Sequence, residues 1–117
     1  MNLNEYQNLS KRTMPIIDDV TDAEQVNKVR ANYALGLTGE SGEVADIVKK
    51  EVFHGHDTDQ EAIKKELGDV MHYVAGVATL YGLTLEDVTQ ANIAKLSKRY
   101  PDGFSVEDSI RRLDVTP

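Results

Sequence analysis

The sequence contains no cysteine. This absence excludes disulfide bonds, metal sites built from thiolates and cysteine nucleophiles. The N-terminal stretch MNLNEYQNLSKR also lacks the apolar core of a signal peptide. The longest mostly apolar stretch, YVAGVATLYGL, is too short to cross a bilayer. Together these absences predict a cytoplasmic protein without a membrane-spanning segment.

Positive charge is scarce, since 13 Lys and Arg residues face 20 Asp and Glu residues and the net charge is -7. Binding to phosphate backbones or anionic lipids needs the opposite excess, so the composition disfavours nucleic acid and membranes as partners. A protein this acidic that handles anions would need metal ions to reverse the local field. The length of 117 residues and the 40% hydrophobic content predict one folded domain over residues 1–117.

Strand patterns, repeats and low-complexity tracts are absent, and the apolar periodicity is helical nearly throughout. We expect helices over about residues 3–13, 23–53, 59–81 and 84–100, and a short one from about 105. Thr21 or Asp22 should cap the second helix and Asp57 or Thr58 the third. A distortion of the second helix is expected around Gly36 to Gly42.

The fold predicted is therefore an all-α helical bundle of three long helices plus shorter terminal helices. A chain of this length buries a core more easily as an oligomer, so we expect a homodimer or homotetramer to complete the bundle. Small residues on the third helix, Ala75, Gly76 and Ala78, suit tight helix contacts.

Carboxylates recur at helical spacing in the stretch GLTGESGEVADIVKK, where Glu40 and Glu43 share one helix face. The same spacing returns in KKELGDVMHYV as Glu66 and Asp69. A short turn near Gly55 joins the two helices, so they should run antiparallel and bring both pairs to a similar height. Four facing carboxylates repel one another unless cations lie between them. Oxygen ligands of this kind suit Mg²⁺, with Mn²⁺ as a possible substitute.

The competing interpretation is a pair of solvated helix faces, because Glu and Lys populate most surface helices. Three features favour a metal site over it. The two pairs are expected at matching heights on their helices. Small residues flank both pairs (Gly39, Ser41 and Gly42; Gly68), and the second pair borders an apolar stripe. Each glycine inside a helix costs about 1 kcal/mol relative to alanine. That cost would be explained if a ligand had to approach the helix backbone.

The two carboxylate pairs, together with ELGDVMHYVA and NIAKLSKRYPDGF, resemble the MazG-like family of all-α nucleoside triphosphate pyrophosphohydrolases. The resemblance covers about Tyr33 to Phe104. It implies Mg²⁺-dependent cleavage of a nucleoside triphosphate (NTP or dNTP) to the monophosphate and pyrophosphate, in a bundle completed by oligomerisation. Glu40, Glu43, Glu66 and Asp69 would then be the metal ligands.

Asn92, Lys95 and Arg99 lie on one face of the helix expected over about residues 84–100. By spacing alone they form a solvated basic face, whereas the resemblance favours contact with the phosphates of the substrate. Tyr73 lies one turn beyond Asp69, and both ligand contact and core packing remain open for it. No sequence feature distinguishes the base or the sugar of the substrate.

The family resemblance also implies attack of water at the α-phosphorus. No Ser, Cys or His is placed as a nucleophile with a supporting base, which favours water over a covalent intermediate. Glu40 is the residue expected to position or deprotonate this water, because it opens the first motif and could touch both metal and water.

Two alternatives remain at this point. Glu51 with His54, and Asp69 with His72, mimic the spacing of di-iron bundle ligands. The chain could also be a catalytically inactive bundle that binds a partner, although none of the four carboxylates is missing.

Overall fold

The computed structural model describes residues 1–115, which are mostly helical and contain no β-strand. Helix α1 spans Leu3–Ser10 and continues as a 3₁₀ turn over Lys11–Thr13. The remaining helices are α2 (Ala23–His54), α3 (Gln60–Leu80), α4 (Leu85–Arg99) and α5 (Val106–Arg111). The prediction of an all-α fold is confirmed.

Each helix begins at a side chain that accepts a hydrogen bond from a free backbone N–H of the first turn, as helix starts require. Asp22 Oδ1 accepts from Glu24 N at 3.1 Å, and Thr84 Oγ1 accepts from Asp87 N at 3.1 Å. Asn2 and Ser105 cap α1 and α5 in the same way. The boundaries are therefore set by local sequence signals.

The predicted caps of α3 are wrong, because Asp59 caps this helix through a 3.0 Å bond from Ala62 N. The hydroxyl of Thr58 instead donates to Glu51 on α2. The expected distortion of α2 is also wrong, since the helix runs unbroken from Ala23 to His54. It ends at Gly55, whose φ of 72° lies in the left-handed region that favours glycine.

Helices α2 and α3 form an antiparallel hairpin held by two reciprocal contacts between a tyrosine ring and a glycine. A Cβ atom on Gly36 would overlap the ring of Tyr73, and one on Gly76 would overlap the ring of Tyr33. The two rings meet edge to face with centroids 5.2 Å apart. This close packing fixes the register of the hairpin and therefore the relative height of residues on its two helices.

Helix α1 contacts both α3 and α4 through hydrogen bonds of Gln7. Gln7 Nε2 donates to Thr79 Oγ1 at 3.0 Å, and Gln7 Oε1 accepts from Leu85 N at 2.8 Å. Leu85 is buried in a small apolar cluster with Ala75 and Ala78. The small residues of α3 are thus buried within one chain rather than left for contact between subunits.

The hairpin and α4 do not pack into a closed bundle within one chain. Across residues 1–115, α4 contacts α1, α3 and α5 but not α2. The radius of gyration is 17.7 Å, whereas a compact chain of this length has about 13 Å. None of the helices in the described part of the chain is long and apolar enough to cross a membrane.

Candidate active site

Three carboxylates converge on the flank of the hairpin. Glu40 on α2 and Glu66 and Asp69 on α3 each offer one oxygen, and these oxygens all lie within 4.8 Å of one another. Glu40 and Glu66 are half-buried and Asp69 is exposed. Within residues 1–115 this is the only such group of three potential metal-ligating side chains. We call these three residues the acidic cluster.

Within the acidic cluster, the Glu66 carboxylate has a buried oxygen and a raised pKa. Its Oε2 atom is buried and has no hydrogen-bond partner among the described residues. Hydrogen bonding to Glu40, burial, and the charges of Glu40 and Asp69 together raise the pKa of Glu66 above its usual value. A buried, unpaired carboxylate oxygen beside two further carboxylates is costly unless a cation binds there.

The residues of the acidic cluster fit a hard divalent cation. Their donors are oxygens only, which suits Mg²⁺ or Mn²⁺. No histidine belongs to the cluster within the described residues. His72 bonds Ser10 through Nδ1 at 2.6 Å, and Glu51 accepts from Thr58. The histidine-containing ligand set of the di-iron alternative is therefore not assembled in this part of the chain.

Glu43, the fourth predicted ligand, is exposed on α2 and lies outside the acidic cluster. The pKa of Lys50 is raised mainly by Asp46, and the negative charge of Glu43 makes a smaller contribution in the same direction. The role of Glu43 as a metal ligand stays a prediction.

The predicted phosphate-binding residues lie on α4, which does not contact the α2 side of the acidic cluster in the described chain. Asn92 and Lys95 are exposed. Arg99 is half-buried and forms a two-pronged ion pair with Asp114, with Nε–Oδ1 at 2.9 Å and Nη2–Oδ2 at 2.8 Å. In the described chain, α4 therefore contacts α3, which carries Glu66 and Asp69, but not α2, which carries Glu40.

Tyr73 is half-buried, and its ring contributes to the packing of the hairpin against Gly36. The ring of Tyr73 also packs edge to face against the ring of His72, with centroids 5.2 Å apart. The core-packing interpretation of Tyr73 therefore has direct structural support, while ligand contact through its hydroxyl stays a prediction.

Sequence reasoning missed Asp114, which pairs with both Arg99 and Arg112. A lone aspartate after a short helix has no informative spacing to Arg99. Its pairing depends on how the chain folds back after α5, which periodicity does not encode.

The helices and the oxygen-only acidic cluster define the class: an all-α protein with three carboxylates placed closely enough to hold a metal ion. A family model described as "MazG nucleotide pyrophosphohydrolase domain" matches residues 29–104. The chain belongs to this MazG family, in agreement with the resemblance drawn from its motifs.

Two curated relatives are similar to part of the chain. The "Gene 37 protein" of Mycobacterium phage L5 is 40% identical over 74 residues, which cover 59% of this chain and 64% of the phage protein. The "Uncharacterized protein YvdC" of Bacillus subtilis (strain 168) is 34% identical over 73 residues, covering 55% of this chain and 69% of that protein. No solved structure matches the chain.

Proposed function

We propose that this protein hydrolyses nucleoside triphosphates (NTPs or dNTPs) to the monophosphate and pyrophosphate in a Mg²⁺-dependent reaction. The observation that carries the proposal is the acidic cluster, and within it the buried, unpaired Oε2 of Glu66. Membership of the MazG family supports pyrophosphohydrolase chemistry in general. The choice of nucleoside triphosphates as substrates and of Mg²⁺ as the metal goes beyond family membership and is part of the proposal.

The residues that would hold Mg²⁺ are Glu40, Glu66 and Asp69, with Glu43 as a fourth ligand from the neighbouring turn. When bound, the ion supplies neutralisation of phosphate charge and a fixed position for the triphosphate. Mn²⁺ should substitute, since it also prefers oxygen ligands.

The reaction proposed is direct attack of water on the α-phosphorus. The bond between the α-phosphorus and the α–β bridging oxygen breaks, and pyrophosphate leaves with that oxygen. Glu40 orients the attacking water and accepts its proton. Asn92, Lys95 and Arg99 donate hydrogen bonds and positive charge to the phosphate oxygens, where negative charge must be stabilised in the transition state.

The complete site forms between chains of a homodimer or homotetramer, with α4 of one copy against the hairpin of another. The chain exposes 8474 Å², against about 6,300 Å² for a compact monomer of this mass. An obligate interface removes on the order of 1,000–2,500 Å² from each partner. The excess exposed area of this chain falls within that range.

The direct test is incubation with a panel of NTPs and dNTPs in Mg²⁺, with monophosphate, pyrophosphate and orthophosphate quantified separately. We expect equimolar monophosphate and pyrophosphate, and no turnover in EDTA. Alanine substitution of any of Glu40, Glu43, Glu66 or Asp69 should abolish turnover without unfolding the chain. Wild-type rates in the Glu66→Ala variant, or turnover that is indifferent to EDTA, would contradict the metal site.

The bond that breaks is tested by hydrolysis in ¹⁸O-labelled water. Attack at the α-phosphorus places the label in the monophosphate and leaves pyrophosphate unlabelled. Label in pyrophosphate would instead show attack at the β-phosphorus. Complete absence of turnover with every nucleotide would favour the inactive, partner-binding bundle.

A further inference from the structure

The chain folds back after α5 so that one carboxylate contacts two arginines. Asp114 accepts from Arg99 at 2.9 and 2.8 Å and from Arg112 at 3.1 and 3.2 Å. The side chain of Asp114 is 1% exposed, whereas that of Arg99 is 20% exposed. The carboxylate is thus enclosed, while the side chain of the arginine it holds is partly exposed.

Asp114 occupies only one edge of the Arg99 guanidinium, whose side chain also interacts with Tyr100. A guanidinium carries five N–H donors in a planar fork. Asp114 uses the edge formed by Nε and Nη2, and does not use the two hydrogens on Nη1. The bidentate contact fixes the plane of the guanidinium, so these remaining donors have a defined direction.

The carboxylate of Asp114 remains charged between the two arginines. Arg99 and Arg112 hold the pKa of Asp114 well below its usual range, so the carboxylate stays ionised at neutral pH. An enclosed carboxylate with four hydrogen bonds from two arginines is poorly suited to being displaced by a phosphate.

We propose that Asp114 is a positioning residue that orients Arg99 toward the phosphates of the substrate. This inference rests on the proposed function, because it takes Arg99 as a phosphate-binding residue. Asp114 lies beyond residue 104, where the match to the family model ends. The residue therefore extends the proposed site with a part of this chain that the family model does not cover.

The test is a double-mutant cycle on nucleotide hydrolysis with Asp114→Asn, Arg99→Ala and the double variant. Loss of Asp114 should raise KM about tenfold and change kcat much less, because the arginine loses its orientation in the free protein. In the Arg99→Ala background, Asp114→Asn should change KM less than about twofold, because the two residues act as one unit.

The matched control is Glu107→Gln. Glu107 also pairs with an arginine of this segment, Arg111, at 3.7 Å, but it is exposed. The control removes the same charge from the same segment and should leave KM unchanged. Asp114→Glu keeps the charge and should restore most of the affinity, and it also serves as the test variant if Asp114→Asn does not fold.

The sign of the effect decides between positioning and competition. A lower KM for Asp114→Asn would show that Asp114 competes with the phosphate for Arg99, which overturns the proposal. An equal rise of KM in the wild-type and Arg99→Ala backgrounds would also overturn it, because the effect would not pass through Arg99.

Binding of inorganic tripolyphosphate, measured by calorimetry in Mg²⁺, separates this inference from the proposed function. If the wild-type protein hydrolyses no nucleotide but binds tripolyphosphate with the same mutant pattern, the proposed function fails and the positioning role stands. If it neither hydrolyses nucleotides nor binds tripolyphosphate, both fail. If it hydrolyses nucleotides, the kinetic cycle alone decides the role of Asp114.

Discussion

At the scale of single residues, the acidic cluster lowers the stability of the folded chain at the position where a cation is expected to bind. Glu66 has one buried carboxylate oxygen without a hydrogen-bond partner, and Glu40 and Asp69 lie beside it. The pKa of Glu66 is raised because the folded state disfavours its charge. The folded chain without metal is therefore destabilised at neutral pH by the residues that would bind the metal.

The first prediction follows from this cost. Glu66→Gln should raise the melting temperature of the protein in EDTA at neutral pH, because it removes one of three facing charges. The same variant should lose the further rise in melting temperature that Mg²⁺ gives the wild type. Glu61→Gln, an exposed glutamate in the first turn of the same helix, is the control and should retain the Mg²⁺ effect.

The pH dependence of this effect has a defined sign. The ordinary pKa of the Glu66 carboxyl is 4.5, and folding raises it. Between these two pKa values the folded state keeps a proton that the unfolded state releases, so stability in EDTA falls as pH rises through this window. Glu66→Gln should remove this part of the slope. A wild type and a variant with parallel pH–stability curves would contradict the assignment.

At the scale of elements, most helix boundaries follow from local sequence, but the choice of the residue that caps α3 does not. Asp22, Thr84 and Ser105 cap helices where the sequence predicted a start, because each contact spans three residues or fewer. At α3 the sequence offers Asp57, Thr58 and Asp59 in a row. The structure selects Asp59, while Thr58 bonds Glu51 across the turn, and such a contact is invisible to local patterns.

The glycines of the hairpin form two groups, those packed against a tyrosine ring and those without a neighbour among the described residues, and sequence alone does not distinguish them. Gly36 and Gly76 each lie under a tyrosine ring of the facing helix, whereas a Cβ atom added to Gly39, Gly42 or Gly68 would meet nothing within 4 Å in the described chain. The first two are required for packing between α2 and α3. The other three cost helix stability without a contact in one chain that explains them.

The second prediction compares these two groups of glycines. Gly36→Ala and Gly76→Ala should destabilise the protein by about 1–3 kcal/mol, because the added methyl group displaces a packed ring. Gly39→Ala should instead stabilise the fold by about 1 kcal/mol through its higher helix propensity. Chemical denaturation measures both effects. Equal effects of Gly36→Ala and Gly39→Ala would contradict the ring–glycine packing.

Activity of the Gly39→Ala and Gly42→Ala variants then tests why these glycines are present. If a substrate or a second chain approaches this face of α2, the variants should fold more stably and yet lose turnover. Full activity in both variants would show that the open face is not used.

At the scale of the whole molecule, the described chain is open and buries few apolar side chains. Only four apolar side chains are buried in residues 1–115: Tyr33, Ala75, Ala78 and Leu85. Large apolar residues are exposed on α2 and α4, among them Leu35, Phe53 and Ile93. Chain length alone predicts an oligomer, whereas the exposed apolar residues that a partner would cover depend on tertiary packing.

The third prediction concerns the assembly itself. Light scattering at micromolar concentration should show a dimer or a tetramer. Ile93→Asp, which places a charge on the exposed face of α4, should shift the protein toward monomer and reduce turnover. Asp102→Asn changes an exposed charge outside α4 and serves as a control that should not alter the mass. A wild type that is monomeric throughout would contradict the assembly.

The fourth prediction tests whether the site is shared between chains. If the acidic cluster of one copy works with α4 of another, two inactive variants should restore activity when mixed. Under the proposed function, Glu66→Ala removes one metal ligand and Lys95→Ala removes one phosphate contact, but a mixed assembly contains sites with both parts intact. Random mixing after co-refolding gives about a quarter of wild-type activity, because each of the two parts is intact with a chance of about one half. If each chain instead builds its own site, the mixture stays as inactive as its components, and the phosphate contacts on α4 must then reach the cluster within one chain by a movement of α4.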